Sequence, residues 1–186
     1  MLFQDDVNGN VNTTNSSIKE NIDLWYQNTL LDVYDSYIED TIYCNNRAIS
    51  SFGGWNPNGG TTHSSFELRF GEYSVSSDLS CHNETDKFSV SNNSAKLIYK
   101  VGLLSIPELN LLHQSNSRIS ANNYWTVSPY RFNSYDFGYY INANGSISTT
   151  NIGNSYSVRP AISLISGLVY SSGTGTMADP YVIETN

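Results

Sequence analysis

The sequence predicts an α+β domain with two helices early in the chain, a mainly antiparallel sheet later and long loops between them. After Ser17, apolar residues recur at steps of three and four, which is the period of a helix that faces a core. The later part of the chain holds short runs of β-branched and aromatic residues separated by Gly- and Asn-rich turns. Helices followed by strands in this way are typical of the α+β class.

The first predicted helix covers roughly residues 18 to 39. Ser17 and Glu20 have the spacing of a capping box. The predicted buried stripe of this helix consists of Ile18, Ile22, Trp25, Tyr26, Thr29, Leu30, Val33 and Tyr37. Residues 1–16 are rich in Asn and Thr and show no apolar period, so we expect a loose N-terminal arm followed by a single domain over residues 17–186.

The second predicted helix is short and runs from Ser105 to about His113. Ser105 again precedes a Glu, Glu108, by three residues. Pro107 lies in the first turn, where its missing amide hydrogen removes no helical hydrogen bond.

The remaining segments are interpreted as strands and connections. An Asn-Gly pair, Asn144-Gly145, predicts a hairpin between Tyr140–Asn142 and Ser146–Ser148, because both turn residues tolerate a positive φ. Other predicted strands are Thr41–Ile49, Phe66–Tyr73, a buried strand at Leu97–Leu104, and Val158–Ile165 and Tyr181–Glu184, which finish the sheet across the Gly-rich turn 171–176. Residues 53–60 are predicted to be a loop.

The composition of the chain restricts its function classes. The 186 residues are 39% hydrophobic, which is enough for one domain with a core. The formal charge is −8 and no cluster of Lys or Arg occurs, so the sequence disfavours nucleic acid as a partner. Polar groups are mostly amides and hydroxyls, as in many extracellular modules. No apolar run of membrane-spanning length occurs, and residues 1–6 lack the positive start and apolar centre of a signal peptide. On these features the chain could be cytoplasmic, or it could be an ectodomain whose targeting segment was removed. Of the two, we expect an extracellular, cell-surface location.

The two cysteines allow three interpretations. A bridge between Cys44 and Cys81 would close a loop of about 38 residues and stabilise the fold by about 4 kcal/mol in the chain-entropy model. Two buried free thiols fit the sequence as well, because neither spacing nor motif forces a bond. A metal site that combines both cysteines with His82 is the third alternative.

The sequence predicts neither an enzyme nor a cofactor. His63, His82 and His113 lie in different contexts, and none accompanies a recognisable nucleophilic Ser. The Gly-rich segments lack the following Lys-Ser/Thr of a phosphate loop. Asp residues are scattered and do not form a dense calcium loop, so apart from the alternative with the two cysteines and His82 no metal site is predicted.

A polar and aromatic run, residues 130 to 140, is the predicted binding segment. It lies between two stiff apolar segments, residues 124–129 and 157–164, and Tyr with Asn, Ser and Gly is also the composition of antibody binding loops. The predicted ligand-binding residues are Tyr130, Arg131, Asn133, Ser134, Tyr135, Asp136, Tyr139, Asn151, Asn154 and Tyr156. Trp125 and Phe132 are interpreted as core residues. We expect Arg159 to be an anchor with a carboxylate or carbonyl partner.

Several of these segments resemble a family of bacterial surface proteins. The matching pieces are, in chain order, Ile22-Asp23-Leu24-Trp25-Tyr26, Thr41-Ile42-Tyr43-Cys44-Asn45-Asn46-Arg47, Cys81, Lys100-Val101-Gly102-Leu103-Leu104-Ser105-Ile106-Pro107-Glu108, Tyr124-Trp125-Thr126-Val127-Ser128-Pro129, Asn144-Gly145 and Val158-Arg159-Pro160-Ala161-Ile162-Ser163-Leu164. The resemblance covers about residues 22 to 183. It implies a C-type-lectin-like fold and display at a cell surface, often behind a pilin-type N-terminal segment.

A related group, the variable proteins of diversity-generating retroelements, carries hypervariable positions on the same type of fold. Those systems mutate adenines, so Asn codons that end in a pyrimidine never become Lys, Gln, Glu, Met or Trp. Residues 130–140 contain none of these five types. Ordinary loop composition also explains their absence, so both interpretations stay open.

The functional hypothesis is a non-enzymatic binding or adhesion module displayed on a bacterial or phage surface. Its expected partner is a protein or glycan on another cell or surface. Attachment to a membrane or pilus would require a segment absent from this sequence. The main alternative is a structural, pilin-like filament subunit. The third class is an enzyme of the formylglycine-generating fold type, although the paired active-site cysteines of those enzymes near the C-terminus have no counterpart here.

Overall fold

A computed structural model describes residues 3–4, 14–46, 61–62, 79–81, 83–112, 117–132, 136–176 and 178–184. It contains α-helices together with antiparallel strand pairs, which confirms the predicted α+β class. The helices are α1 (Ser17–Thr29), α2 (Leu31–Tyr34) and α3 (Ile106–Leu111). The strands are β1 (Phe3–Gln4), β2 (Thr14–Asn15), β3 (Ile38–Glu39), β4 (Tyr43–Cys44), β5 (Thr61–Thr62), β6 (Lys87–Phe88), β7 (Tyr124–Phe132), β8 (Asp136–Ile141), β9 (Ile147–Asn151), β10 (Ser163–Leu164), β11 (Tyr170–Ser172) and β12 (Val182–Ile183).

The first helix is shorter than predicted. Its N-cap is Ser16, whose side chain accepts a hydrogen bond from the Lys19 amide, and not Ser17. Helix α1 ends at Thr29 and is followed by α2, a 3-10 turn over Asp35–Tyr37 and β3. The prediction of one helix to residue 39 was wrong because Ile38 is buried as a strand residue, paired with β10.

The second helix forms as predicted at its N-terminus. The Ser105 hydroxyl accepts from the Glu108 amide, and the Glu108 carboxylate accepts from the Ser105 amide at 2.7 Å, which makes a complete capping box. The helix begins at Ile106 and ends at Leu111. Ile106 and Leu109 are buried and attach the helix to the sheet.

The largest sheet has the strand order β5-β7-β8-β9 and is antiparallel throughout. The predicted hairpin connects β8 to β9, with Ile141 opposite Ile147. Gly145 in its turn has a φ of 85°, and its amide donates to the Asn142 carbonyl at 2.8 Å. This confirms the interpretation of Asn144-Gly145.

Other predicted strands differ from the structure. Half of residues 97–104 are buried, Ile98 is exposed, and the segment forms no named strand; Gly102 makes an isolated bridge with Ala161. The segments at 158–165 and 181–184 do not finish the large sheet: β10 pairs with β3, and β12 pairs with β11. The predicted strand at 41–49 is reduced to β4 within its described part, which ends at residue 46. The predicted loop at 53–60 and strand at 66–73 lie outside the described residues. Within the predicted loose arm, β1 pairs with β2.

Two buried clusters lie on opposite faces of the hairpin formed by β7 and β8. Tyr124 belongs to one cluster and Trp125 to the other, as expected for neighbours in a strand. The larger cluster contains Ile22, Tyr26, Ile38, Tyr43, Phe88, Ala95, Leu97, Val101, Leu103, Trp125 and Val127. The smaller cluster contains Ile106, Leu109, Tyr124, Tyr139 and Ile141. The large sheet is therefore covered on both faces around the middle of β8.

The segments that resemble the surface-protein family meet in the structure. The Tyr43 hydroxyl donates to the Ala161 carbonyl at 2.9 Å, and a Cβ placed on Gly102 would lie 2.3 Å from Tyr43 Cγ. Burial raises the pKa of Tyr43. Ile106 donates its amide to Ser128 Oγ at 2.9 Å. We call residues 43–44, 100–108, 124–129 and 157–162 the framework, because they pack on or hydrogen-bond to one another.

Cys44 and Cys81 form a disulfide, 37 positions apart in the sequence. This is the first of the three alternatives, and both cysteines of the chain are used in it. The bridge fastens residue 81 to β4 and thereby to the framework.

Asp35 carries a pH-dependent contribution to stability. The Tyr26 hydroxyl donates to its Oδ1 at 2.7 Å, and Lys100 Nζ lies 3.0 Å from its Oδ2. The hydrogen bond from Tyr26, assisted by Lys100, lowers the pKa of Asp35 although burial opposes the shift. A lowered carboxyl pKa contributes stability above the unfolded-state value of about 3.9, and this contribution disappears as the pH falls through the folded-state value.

We therefore predict that Asp35→Asn lowers the melting temperature at pH 7 and that its difference from wild type shrinks as the pH is lowered from about 5 towards 2. Thermal unfolding followed by circular dichroism measures it. Asp32→Asn, at an exposed position of α2, is the matched control. A constant difference between Asp35→Asn and wild type over this pH range would contradict the assignment.

Candidate ligand-binding surface

Five of the seven predicted binding residues that the structure describes come together at one end of the large sheet. Strand β7 ends there, β8 begins there and β9 ends there, since Phe132 is opposite Asp136 and Phe137 is opposite Asn151. The turn after β9 adds Asn154. We call this region, formed by Tyr130, Arg131, Asp136, Asn151 and Asn154, the sheet-end surface. Asn133, Ser134 and Tyr135 lie between β7 and β8 in the sequence, outside the described residues. For Arg131 and Asp136 the structure describes the position in the strand but not the side chain.

The strand that leads to this surface is irregular. Pro129 is opposite Gly138, whereas Arg131 is opposite Phe137, so Tyr130 is an extra residue in β7. An additional shift lies between Trp125 and Pro129. Such bulges bend a strand, occur next to binding sites and accommodate a proline within a sheet. The bulge lies between the sheet-end surface and the regularly paired part of the hairpin.

Tyr139 was predicted to contact a ligand, and this prediction was wrong. Its side chain is fully buried and packs with Ile106, Leu109 and Ile141 in the smaller cluster. Neighbouring residues of a strand face opposite sides of the sheet, and α3 covers the side that carries Tyr139. Tyr140 points to the opposite face, where it is half-buried against Trp125.

Tyr130 is partly buried and lies at the border between core and surface. Its ring meets the ring of Tyr139 edge-on, with 5.2 Å between the ring centroids. This contact orients Tyr130 through a core residue and lowers the conformational entropy that the side chain would lose on binding a ligand. Tyr130 is therefore only partly the exposed contact residue that the sequence predicted.

The turn after β9 presents Asn154. Asn151 Oδ1 accepts a hydrogen bond from the Gly153 amide at 2.8 Å, and the Asn151 carbonyl accepts from the Asn154 amide at 3.1 Å. The Asn154 side chain is exposed and donates to Thr150 Oγ1. Asn151 thus stabilises the turn, whereas the side-chain carbonyl oxygen of Asn154 makes no hydrogen bond to a described residue.

Tyr156 belongs to an aromatic cluster beside Thr150, the residue that accepts a hydrogen bond from Asn154. Its ring centroid lies 4.5 Å from that of Tyr140 and 5.1 Å from that of Trp125. Burial, together with a hydrogen bond to Tyr140, raises the pKa of Tyr156, so its phenol is neutral at physiological pH. Trp125 is buried in the core, as predicted; the side chain of Phe132 is not among those described.

An open groove beside Tyr156 was not predicted from the sequence. It has a volume of about 530 Å³ and is lined by residues 121–123, Ala143 and residues 155–157. Of these residues only Tyr156 was a candidate. The Asn123 side chain accepts from the Ala143 amide at 3.0 Å, and the Asn123 carbonyl accepts from the Ser157 amide at 3.0 Å. The only sequence signal was the polar composition of two short loop segments, which is common to ordinary loops.

Arg159 has the carbonyl partner that the sequence required. Its guanidinium donates to the Ser117 carbonyl at 2.6 Å and lies 5.5 Å from the centre of the Tyr124 ring. The residue is nevertheless exposed, so it anchors the 117–118 segment from the surface of the molecule.

The described part of the chain contains no group of three or more His, Cys, Asp or Glu residues arranged to hold a metal ion. The histidines at positions 63, 82 and 113 lie outside it. Because both cysteines are in the disulfide, neither offers a free thiol to a substrate or a metal. Within the described helices none is long and apolar enough to cross a membrane.

Comparison of the chain with protein-family models, with curated proteins and with solved structures finds no match. The helices and antiparallel strand pairs of the structure show the mixed α+β class. The C-type-lectin-like topology and the surface-protein family remain predictions from the sequence motifs.

Proposed function

We propose that this chain is a non-enzymatic ligand-binding module of C-type-lectin-like fold, displayed on a bacterial or phage surface, that binds a protein or glycan through its sheet-end surface. One observation carries the proposal. Side chains suited to ligand contact lie at one end of one sheet, although Tyr130 and Asn154 are 24 positions apart in the sequence. The family resemblance supports the surface location and the fold.

The physical argument is the contrast between the framework and the surface that it supports. The framework residues of β7 are buried up to Pro129, whereas Tyr130 and the residues of β9 are partly exposed. Tyr supplies a large contact area with few rotatable bonds, and Asn adds adaptable hydrogen bonding. A surface of this kind tolerates changes of side chain without loss of the fold, which is also what a hypervariable binding site requires.

The test is a pair of substitutions that removes two side chains from the sheet-end surface. We predict that Tyr130→Ala with Asn154→Ala weakens binding by roughly 30-fold or more, as expected for central contact residues. The free energy of unfolding falls by only about 1 kcal/mol, chiefly through the lost ring contact with Tyr139. Flow cytometry with a fluorescent tetramer of the protein, on a panel of bacterial and eukaryotic cells, measures binding.

Tyr170→Ala with Asn144→Ala is the matched control, because Tyr170 also stacks on one tyrosine, Tyr181, and Asn144 is also an exposed turn residue. The control pair lies outside the sheet-end surface and should stain cells as the wild type does. Equal staining by the Tyr130/Asn154 variant and the wild type would contradict the proposed surface.

A filament subunit is the second candidate, and a separate observation favours it. The β11–β12 hairpin exposes four apolar side chains, Val169, Tyr170, Tyr181 and Val182, each more than half exposed. Exposed apolar patches of this kind commonly mark contacts between proteins. Fibres of the purified protein seen by electron microscopy, lost in Tyr170→Ser with Val182→Thr, would support a structural role. A monomer at all concentrations would count against it.

A further inference from the structure

We infer that the groove beside Tyr156 is a second binding site, which accepts one ring of a neutral, polyhydroxylated ligand such as a pyranose sugar. One wall of the groove contains Ala143 of the hairpin turn, and another is formed by residues 155–157, which directly follow Asn154 of the sheet-end surface. The groove uses other side chains than the sheet-end surface, so the inference does not depend on the proposed function.

The groove is open to solvent, and hydrogen bonds and ring contacts hold its walls in place. Its volume of about 530 Å³ falls within the usual range for small-molecule sites. The hydrogen bonds of Asn123 to Ala143 and to Ser157 fix its two walls relative to each other. The Tyr156 ring is held by Trp125 and Tyr140. A ligand would meet walls that need little ordering on binding.

The polar groups of the groove are available to a ligand. Asn122, Ser155 and Ser157 are exposed, and within the described part of the chain their side chains have no hydrogen-bond partner. Amides and hydroxyls both donate and accept hydrogen bonds. Neighbouring ring hydroxyls of a sugar do the same, so three such side chains around one depression match its hydrogen-bonding pattern.

The charge of the lining selects against ions. None of the lining residues is Asp, Glu, Lys, Arg or His, and the Tyr156 phenol is neutral at physiological pH. An anion would lack a cationic partner here and would approach a chain with a formal charge of −8. A cation would find no carboxylate among the lining residues. An uncharged ligand needs neither a cationic partner nor a carboxylate, so this lining suits it.

The apolar part of the lining is small, and this favours a sugar over a peptide as the ligand. It consists of the methyl groups of Ala121 and Ala143 and the ring of Tyr156. Peptide helices require a long apolar groove, and proline-rich peptides require several aromatic side chains. A single ring beside amides and hydroxyls offers one apolar contact for the C–H face of a sugar and no pocket for a large side chain.

The test uses saturation-transfer NMR with methyl glycosides of neutral hexoses and N-acetylhexosamines at millimolar concentration. We expect at least one glycoside to receive saturation from the wild-type protein. Ala121→Trp fills the groove and should abolish the signal, and Asn122→Ala should weaken the affinity by roughly 2- to 12-fold, the equivalent of one hydrogen bond. Ala178→Trp, an exposed alanine in the turn between β11 and β12, is the matched control and should bind as wild type does.

Three outcomes would overturn the inference: no glycoside receives saturation, the signal persists in Ala121→Trp, or short neutral peptides displace the glycoside at equal concentration. Tyr130→Ala separates this site from the sheet-end surface. It should leave the glycoside signal unchanged even if it abolishes binding to cells, and a loss of both would mean that a single site had been divided in two.

Discussion

Tyr139→Ala is expected to lower the free energy of unfolding by about 3–5 kcal/mol, the usual cost of removing a large buried aromatic side chain. Tyr139 is fully buried among Ile106, Leu109 and Ile141. Its removal leaves a cavity between α3 and the sheet and takes away the ring on which Tyr130 rests. Equilibrium unfolding in urea measures the loss.

Two variants show whether this loss comes from the buried ring. Tyr139→Phe keeps the ring and should avoid most of the loss, and Asn154→Ala, at an exposed turn position, should change the free energy of unfolding by less than about 1 kcal/mol. If Tyr139→Ala unfolds at the same urea concentration as wild type, the side chain is not in the core, and the assignment of the two faces of β8 is reversed.

Replacing both Cys44 and Cys81 by Ser is expected to cost about 4 kcal/mol of folding free energy. The bridge joins residues 37 positions apart, and a loop of this length leaves the unfolded chain with much more conformational freedom once the bond is absent. Cys44 lies in β4, one residue from the Tyr43 side chain that packs on Gly102. Removal of the bridge is therefore expected to destabilise the part of the framework around Tyr43 and Gly102.

Thermal unfolding with and without a reducing agent measures the contribution of the bridge. The reduced wild type and the double Ser variant should melt at similar temperatures, well below the oxidised protein. Thiol titration of the unfolded protein should find two reactive groups only after reduction. Two titratable thiols in the untreated protein would show that the cysteines are not bridged.

Local sequence signals predicted the parts of the fold that depend on neighbouring residues. The capping box at Ser105 and Glu108 and the turn at Gly145 both appear as predicted, because each is decided within a few residues. The end of the first helix could not be predicted in this way. The helical period continues to Tyr37, yet the next residue, Ile38, pairs with β10 from the far end of the chain, and this long-range pairing outweighs the local preference.

For the candidate site as well, the sequence predicted the local features but not those that depend on long-range contacts. The alternating pattern of β8 shows that Tyr139 and Tyr140 face opposite sides. It does not show which side α3 will cover. For that reason Tyr139 was assigned to the ligand-binding residues and not to the core. The groove beside Tyr156 was missed because three separate segments form it, and no single segment carries a recognisable motif.

The central claim is that the sheet-end surface binds a ligand and that the framework only supports it. The most direct test is a saturation library at Trp125, Tyr130, Tyr139 and Asn154, displayed on yeast and sorted separately for protease resistance and for binding to the target cells. We predict that most substitutions at Tyr130 and Asn154 pass the protease sort and fail the binding sort, whereas those at Trp125 and Tyr139 fail both. Substitutions at Tyr130 and Asn154 that pass both sorts would contradict the claim.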